Sequence, residues 1–259
     1  MKSFITRQSK NLAVVALAFG LMASSCNKDK DAPALPDKKS MSFSSEINGS
    51  NKTDGVAFGL VALGMTYWNT VIALNIAVPT ASFYEAFNHK AVYSSKTKDY
   101  VWSYDVTVLG IKYTANLHGK VNGSEVEWKM LISQQGGFQN FEWYTGTSKV
   151  DGTGGQWKLN KGANSGSTTY LVIDWTKTSD AIHSTKFTLS DANDANYGSY
   201  IDYKTTNEVE FNGHYDIYDG AKKELTQILW NTADKHGKVI NAANQSYCWD
   251  SATNDVTCQ

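Results

Sequence analysis

The sequence predicts a mainly β protein: an antiparallel meander curled into a half-barrel or barrel of about ten to twelve strands, with one or two N-terminal helices packed on or inside its concave face. Three observations predict this fold. From residue 99 onward, apolar and polar side chains alternate, as around Tyr100 and Trp102, and a period of two is typical of strands. Turn sequences such as Asn122-Gly123 separate the alternating runs. Residues 55–84, which precede the runs, carry no charged side chain.

Ten alternating runs are predicted to be strands, and short strands joined by tight turns form antiparallel meanders. They lie at residues 100–108, 113–117, 126–132, 138–147, 155–161, 169–176, 182–189, 199–204, 208–218 and 224–231. Asn212-Gly213 interrupts the ninth run, either as a bulge or as a further turn. A sheet of roughly ten or more strands has to curl or close, so the apolar side chains of the runs converge on one concave face.

Residues 56–78 are almost continuously apolar and predict a helix that other structure covers on nearly all sides. Its polar side chains in the middle fall at i, i+3 and i+4 and form one narrow stripe: Thr66, Asn69 and Thr70. Thr53 and Asp54 are candidate caps for the start of this helix. Pro79 is predicted to end it, and residues 81–89 are predicted to form a shorter second helix.

This uncharged helix allows two interpretations. It is long enough to cross a bilayer, which takes about 20 residues, but its two glycines and its polar side chains weaken that interpretation. A helix enclosed by the curved sheet explains both the apolar helix and the apolar sheet face. On this second interpretation, a charge at Leu60 or Leu63 unfolds the domain, because burying an unpaired charge costs more than about 4 kcal/mol.

Residues 1–25 are predicted to be a secretory signal. Lys2, Arg7 and Lys10 precede an apolar run at residues 12–22, which is too short to span a bilayer. The following Ala-Ser-Ser-Cys sequence, which ends at Cys26, resembles the bacterial lipobox. The resemblance implies that Cys26 is lipidated and becomes the first residue of the mature protein. The alternative is an ordinary signal followed by an unmodified cysteine.

Residues 26–41 are predicted to be a charged, lipidated tether, and residues 42–259 a single helix-plus-meander domain. Acyl chains on Cys26 anchor the protein to a membrane, since each buried CH₂ contributes about 0.8 kcal/mol. The NKDKD run after the cysteine resembles the signal that sends Bacteroidota lipoproteins to the outer face of the outer membrane. The expected location is therefore the outer membrane, on its periplasmic or cell-surface face.

The charge balance argues against nucleic acid as a partner. Three of the 24 basic residues and none of the 25 acidic residues precede Cys26, which leaves 21 against 25, a net charge of about −4. All 21 are lysines, because Arg7 is the one arginine in the sequence. Nucleic-acid-binding domains are typically basic and use arginine for phosphate contacts. The expected partners are the membrane, through the lipid on Cys26, and a hydrophobic ligand or an envelope protein.

The C-terminal segment SYCWDSATNDVTC reads as strand, turn and strand. Cys248 and Cys258 are therefore predicted to form a disulfide across a hairpin in an oxidising compartment. Two free thiols are the alternative. Asp250-Ser251-Ala252 lies at the predicted hairpin tip and resembles the O-glycan acceptor sequence of Bacteroidota, which implies a glycan on Ser251.

Several short sequences together resemble uncharacterised Bacteroidota outer-membrane lipoproteins. They are Pro79 with Phe83, Trp102-Ser103-Tyr104, Phe141-Glu142-Trp143-Tyr144-Thr145-Gly146, Gly155-Gln156-Trp157, Ile173-Asp174-Trp175 and Cys248-Trp249-Asp250. The resemblance covers most of the mature chain and implies a structural pattern without an assigned activity. At the level of the fold, the curved sheet with helices is also similar to periplasmic lipoprotein carriers, and this similarity implies a bound acyl chain.

The sequence contains no pattern that declares a reaction. It has no G-x-S-x-G and no H-E-x-x-H, and its five histidines are scattered. Glu125 with Glu127, and Glu208 with Glu210, are interpreted as solvated faces of strands. Asp174 points either into a polar pocket or at water, and residues 191–194 are interpreted as a turn rather than a calcium loop. No catalytic residue, metal site or cofactor is predicted.

Three functions remain as hypotheses. The first is a non-enzymatic, membrane-anchored lipoprotein that binds a lipid or another hydrophobic ligand between sheet and helix. The second is a structural or assembly lipoprotein without a small ligand, and the third is a surface module that binds glycans on exposed aromatic side chains. An apolar cavity between the helix and the sheet would distinguish the first hypothesis from the second.

Overall fold

The computed structural model describes residues 31–43, 47, 55–179 and 183–258, without the side chain of Leu74. One compact unit begins at Ala32 and contains a single antiparallel sheet of 14 strands, paired in the order of the sequence. The strands are β1 Val92–Ser94, β2 Asp99–Val108, β3 Ile111–Asn122, β4 Glu125–Gln134, β5 Phe141–Lys149, β6 Gly154–Asn160, β7 Thr169–Lys177, β8 His183–Leu189, β9 Tyr200–Thr205, β10 Gly213–Asp219, β11 Glu224–Trp230, β12 Gly237–Ile240, β13 Ser246–Trp249 and β14 Asp255–Val256. Among the described strands, β1 and β14 do not pair with each other, so the sheet is curled but not closed. The predicted meander is confirmed, with more strands than expected.

Tight turns set the register of this sheet. Between β2 and β3, Val108 pairs with Ile111, and the two intervening residues, Leu109 and Gly110, have φ values of 51° and 79°. Positive φ at both central residues defines the hairpin turn whose twist matches that of the strands. The turn predicted at Leu109-Gly110 is therefore present, and it fixes which side chains of β2 and β3 face inward.

The sheet differs from the prediction at its shortest strands. β1 and β12 are too short to produce a recognisable alternation, and both were absent from the expected set. The ninth predicted run is a strand only from Gly213 onward, so Asn212-Gly213 ends a loop rather than forming a bulge. Glu208 and Glu210 consequently lie in that loop, and their interpretation as one face of a strand is wrong.

The helix, α1, extends over Val56–Ala86 and contains Pro79 in its interior. The predicted end at Pro79 and the predicted second helix are therefore wrong, because the two segments form one continuous helix. A proline inside a helix removes a backbone hydrogen bond at a cost of about 3 kcal/mol. Pro79 itself is buried, as are Ile76 and Phe83 on either side of it, and this tertiary burial offsets the lost bond.

One face of α1 is buried against the sheet. Its buried residues recur at helical spacing: Ala57, Phe58, Val61, Met65, Trp68, Ile72, Ile76, Phe83 and Ala86. The opposite face carries what we name the outer stripe, five residues spaced by three or four: Val56, Leu60, Leu63, Tyr67 and Thr70. The expectation that α1 is enclosed on nearly all sides is wrong, since Leu63 is 72% exposed. A charge at Leu63 is therefore no longer expected to unfold the domain, whereas Leu60 is partly buried against the core.

The folded unit also includes part of the predicted tether. A 3₁₀ turn at Lys38–Met41 buries Ser40 and Met41. The indole Nε1 of Trp157 donates to Ser40 Oγ at 3.2 Å. Lys177 Nζ lies 2.8 Å from Asp37 Oδ2. The compact unit thus begins at residue 32, ten residues before the predicted start of the domain at residue 42.

Candidate functional site

Side chains fill the space between α1 and the sheet that was predicted to hold a hydrophobic ligand. The Phe83 ring lies 5.4 Å from the Trp157 ring, and the Tyr144 ring also lies 5.4 Å from it. Nearer the start of α1, the Phe58 and Trp249 rings are 5.9 Å apart. Edge-to-face pairs at these distances are close aromatic packing. The described interior is therefore an aromatic core.

Cavities occur on the surface instead. Four cavities of about 700, 330, 230 and 210 Å³ are present in the described residues, and no residue of α1 lines any of them. The second-smallest lies between the 3₁₀ turn and strands β7 and β8, and its lining includes Ser40, Trp175 and Thr185. None of these four cavities lies against α1, where an internal lipid ligand was expected.

Two tyrosines, Tyr104 and Tyr144, are buried in the core. The hydroxyl of Tyr104 donates to the carbonyl oxygen of Ser82 at 2.5 Å. Burial, followed by the nearby charge of Glu85, raises the pKa of Tyr104. Burial likewise raises the pKa of Tyr144 far above its usual value. Both phenols are therefore neutral at physiological pH and serve as packing groups with a polar tip rather than as general bases.

The largest of these four cavities, which we name the outer groove, lies across the outward positions of β3–β6 and the start of β2. Its lining is Thr97, Asp99, His118, Lys120, Glu127, Trp128, Lys129, Leu131, Thr145, Gly146, Thr147, Gln156 and Lys158. Most of this lining follows from the period of two, because alternate residues of five neighbouring strands point away from the core. Leu117, Met130 and Trp157, which are buried, occupy the positions in between.

A histidine–aspartate pair forms one end of the outer groove. His118 Nδ1 lies 2.8 Å from Asp99 Oδ2, and the Thr97 hydroxyl donates to Asp99 Oδ1 at 2.5 Å. A carboxylate in this position orients an imidazole, as in catalytic triads. Such a triad also needs a nucleophile within hydrogen-bond reach of the imidazole. No serine or cysteine of the described residues forms a hydrogen bond with His118.

The rest of the outer groove is polar and of mixed charge. Lys129 Nζ lies 3.3 Å from Glu142 Oε2, and Asn122 donates to Glu127 Oε1 at 2.9 Å. In the described part of the chain, Lys120 and Lys158 form no ion pair. Ammonium, amide and hydroxyl groups on one concave surface suit the binding of a polar, hydroxyl-rich or anionic ligand.

The structure shows the positions of Asp174 and of residues 191–194. Asp174 lies on the outer face and accepts a hydrogen bond of 2.7 Å from Gln156 Nε2, and it also lines the 330 Å³ surface cavity. The predicted turn is present, with the Asn193 amide donating to Asp191 Oδ1 at 3.0 Å. Among the described residues, no three histidine, cysteine, aspartate or glutamate side chains are grouped as metal ligands.

The predicted modification sites lie at the two ends of the sequence. Residues 1–25 and Cys26 lie outside the described residues. The sulfur atoms of Cys248 and Cys258 are 2.14 Å apart, at disulfide distance, and their Cα atoms are 5.2 Å apart. Ser251 is exposed in the turn between β13 and β14, where Asp250 Oδ1 accepts from the Ala252 amide at 2.9 Å. The hairpin expected at the C-terminus is present.

Sequence reasoning missed the cap of α1. The residue before the helix is Gly55, and it has no side chain to cap the first turn. Asp255 of β14 supplies the cap, since its carboxylate accepts from the Val56 amide at 2.7 Å and from the Ala57 amide at 3.1 Å. A Cβ atom at Gly55 would lie 2.5 Å from Asp255 Oδ1, so the glycine permits this approach. Thr53 and Asp54, the predicted caps, lie outside the described residues.

Comparison of the chain with protein-family models, with curated proteins and with solved structures finds no match. The resemblance to Bacteroidota outer-membrane lipoproteins stays a prediction from the sequence. The class supported by fold and surface is that of an open, curled β-meander wrapped on one face of a long helix.

Proposed function

We propose that this chain is a membrane-anchored, non-enzymatic lipoprotein that acts through its outer surface, as a structural or assembly component of the envelope. The observation that carries the proposal is the filled interior. Trp68, Trp157 and Trp230 are each at most 1% exposed and occupy the space in which a carrier would hold an acyl chain. Among the three hypotheses from the sequence, this one therefore replaces the internal lipid carrier as the preferred function.

Anchoring rests on Cys26 and on the short distance between it and the folded unit. The lipobox-like sequence ends at Cys26, and the unit begins six residues later at Ala32. An extended chain spans at most about 3.6 Å per residue, so a lipidated Cys26 holds the unit within about 20 Å of a bilayer. A domain held this close to a membrane is suited to contacts along the membrane surface.

The side-chain chemistry supports a non-enzymatic role. The His118–Asp99 pair lacks a hydrogen-bonded serine or cysteine in the described residues, and the buried tyrosines are neutral because burial raises their pKa. An enzyme needs reactive groups that converge on one substrate position. The outer groove presents groups that bind rather than groups arranged to react.

The test of anchoring compares wild type with Cys26→Ala, both expressed in full length in a bacterium with a lipoprotein pathway. Wild type is expected in the detergent phase after phase partitioning, whereas the variant is expected in the aqueous phase or retained unprocessed. If both proteins stay in the aqueous phase, the anchoring proposal is wrong. Solvent extraction of purified wild type, followed by mass spectrometry, is expected to release no acyl ligand in stoichiometric amount.

The outer groove supports a second candidate function, glycan binding. Its volume of about 700 Å³ is in the range of small-molecule sites, and it is lined by the polar side chains of Gln156, Thr147 and Lys158. Stacking platforms are scarce, since of the eight tryptophans only Trp143 is more than slightly exposed. Recognition would therefore depend on hydrogen bonds and charge.

Calorimetric titration with neutral and with acidic oligosaccharides tests this second function. Lys120→Ala/Lys158→Ala is expected to abolish the binding of an acidic oligosaccharide. Lys222→Ala is the matched control, because Lys222 is exposed in the turn between β10 and β11, outside the outer groove. Binding that persists unchanged in the double variant would assign the glycan to another surface.

A further inference from the structure

We propose that the outer stripe of α1 lies in the lipid headgroup region of the bilayer that the Cys26 anchor reaches, so that the domain binds the membrane through this helix face as well as through its lipid. This inference rests on the proposed anchoring. It concerns a different part of the molecule, because the stripe begins thirty residues after Cys26. The outer stripe thus contacts the surface of a lipid bilayer.

The first supporting observation is the exposure of apolar side chains in a row. Leu63 is 72% exposed, Val56 62% and Tyr67 42%, and all three lie on one face of α1. No charged residue occurs between Gly55 and Tyr84. A helix in the membrane interface presents an apolar face of this kind, often with an aromatic residue whose hydroxyl reaches the headgroups.

The second observation is the route by which the chain arrives from the anchor. The Tyr84 hydroxyl donates to the carbonyl oxygen of Lys38 at 3.3 Å, and the Thr80 hydroxyl donates to that of Met41 at the same distance. Residues 38–41 therefore lie against the last turns of α1. The same segment also packs against β7, so the chain that follows Cys26 in the sequence joins the fold beside both the C-terminal part of α1 and this strand.

The third observation is the charge around α1. Beyond the outer stripe, at the C-terminal end of the helix, the exposed Lys38 has its Nζ 4.9 Å from the centroid of the Phe87 ring, and Lys39 and Lys90 are also exposed. The ammonium groups of these lysines are suited to bind lipid phosphates. Near Tyr67, burial and then the acids Asp194 and Asp219 raise the pKa of the phenol, so this side chain stays neutral. The acids favour a zwitterionic bilayer over a strongly anionic one along the middle of the stripe.

The buried face of α1 favours a helix that lies on the membrane over a helix that crosses it. The segment Val56–Ala73 has the length and composition of a membrane span. However, Phe58, Trp68 and Ile72 are at most 5% exposed and pack in the protein core. Crossing a bilayer would require these side chains to leave the core. The outer stripe can enter the headgroup region without any change in the fold.

The experiment uses the full-length lipidated protein in phosphatidylcholine vesicles. A nitroxide is attached to Leu63→Cys, and Val209→Cys is the matched control because Val209 is 93% exposed in the loop between β9 and β10. Accessibility to oxygen and to a water-soluble nickel complex is measured for both labels. The label at position 63 is expected to lose accessibility to nickel and to gain accessibility to oxygen relative to the control. Tyr67→Cys repeats the test if the first variant melts below wild type.

Each outcome of this experiment supports or overturns either the membrane contact or the anchoring. Equal nickel accessibility at positions 63 and 209, in a protein that partitions into the detergent phase, overturns the membrane contact and leaves the anchoring intact. A wild type found in the aqueous phase overturns the anchoring first. Protection at position 63 that vanishes in nanodiscs with one protein each identifies a second copy as the occupant and overturns the proposal. Protection that persists in those nanodiscs supports it.

Discussion

The two faces of α1 both carry apolar side chains but have opposite surroundings. Trp68 and Ile72 on the inward face are at most 5% exposed, whereas Leu63 on the outer stripe is 72% exposed. Hydropathy alone does not separate the faces, since aliphatic and aromatic side chains occur on both. The difference arises from the sheet, whose concave aromatic face covers one side of the helix and leaves the other open. An apolar side chain on this helix therefore has a structural role on one face and is available for binding on the other.

The largest expected effect comes from placing the same charge on each face. Ile72→Asp is expected to prevent folding, because a buried, unpaired carboxylate costs more than about 4 kcal/mol. Leu63→Asp is expected to change the free energy of unfolding by less than about 0.5 kcal/mol, since exposed positions tolerate substitution. Urea denaturation in detergent solution, followed by circular dichroism, measures both. Similar losses in the two variants would show that the faces are not different in solution.

The second-largest effect concerns the C-terminal hairpin, which packs against the N-terminal part of α1. The disulfide between Cys248 and Cys258 closes a loop of ten residues, and a loop near this length contributes roughly 2–3 kcal/mol by the chain-entropy argument. Reduction is expected to lower the melting temperature without abolishing the fold. Hydrogen exchange should accelerate around Phe58, which packs on Trp249, and stay slow around Phe83. Alkylation of the unreduced protein at both cysteines would contradict the disulfide.

A smaller effect is expected at the cap. Asp255→Ala removes the acceptor of the Val56 and Ala57 amides, and loss of a cap costs about 1 kcal/mol. Asp255→Asn keeps an acceptor and is the matched control, with a smaller loss. Denaturation of both variants, with and without reductant, measures the coupling between cap and disulfide. Additive losses would show that the hairpin and the cap stabilise the helix independently.

The smallest effect concerns the segment beside the last turns of α1. Burial raises the pKa of Asp37, but the hydrogen bonds from Lys177 and from the Lys39 amide outweigh it and hold this pKa below its usual value. A lowered pKa in the folded state means that the stabilisation is present above about pH 4, the unfolded value, and is lost as the pH falls through the folded value. Because solvent still reaches the pair, whose side chains are 31% and 29% exposed, the loss is expected to be below about 1 kcal/mol. Wild type should lose this increment between pH 5 and pH 2, and Asp37→Asn should not.

The sheet was predictable because its signals are local. Alternation in β2–β8 and glycine turns such as Leu109-Gly110 depend on neighbouring residues, and these elements lie where the sequence places them. The helix was predictable in its existence but not in its end. Burial around Pro79 outweighs the local rule for proline. The predicted polar stripe of Thr66, Asn69 and Thr70 is exposed and indicated the open side of α1, but not that apolar side chains such as Leu63 share it. The short strands β1 and β12 carry too few residues to show a period.

The candidate surfaces were less predictable, because they combine distant residues. The outer groove takes residues from five strands, and each strand alone reads as an ordinary solvated face. The cap on α1 joins Asp255 to Val56, and Asp255 by itself reads as a turn residue. Both features depend on the curvature and register of the sheet rather than on a motif. The predicted lipidation of Cys26 differs from these features, because it depends only on neighbouring residues in the sequence.

The contact between Asp255 and Val56 spans 199 residues and bears on the order in which the protein acquires its fold. Synthesis from the N-terminus delivers the helix long before the last hairpin that covers its first turns. Folding slows when native contacts join distant parts of the chain. Until β13 and β14 arrive, Phe58 has no Trp249 to pack against, and an uncovered apolar helix favours aggregation. A chain that ends before residue 246, where β13 begins, is therefore expected not to reach its cooperative fold.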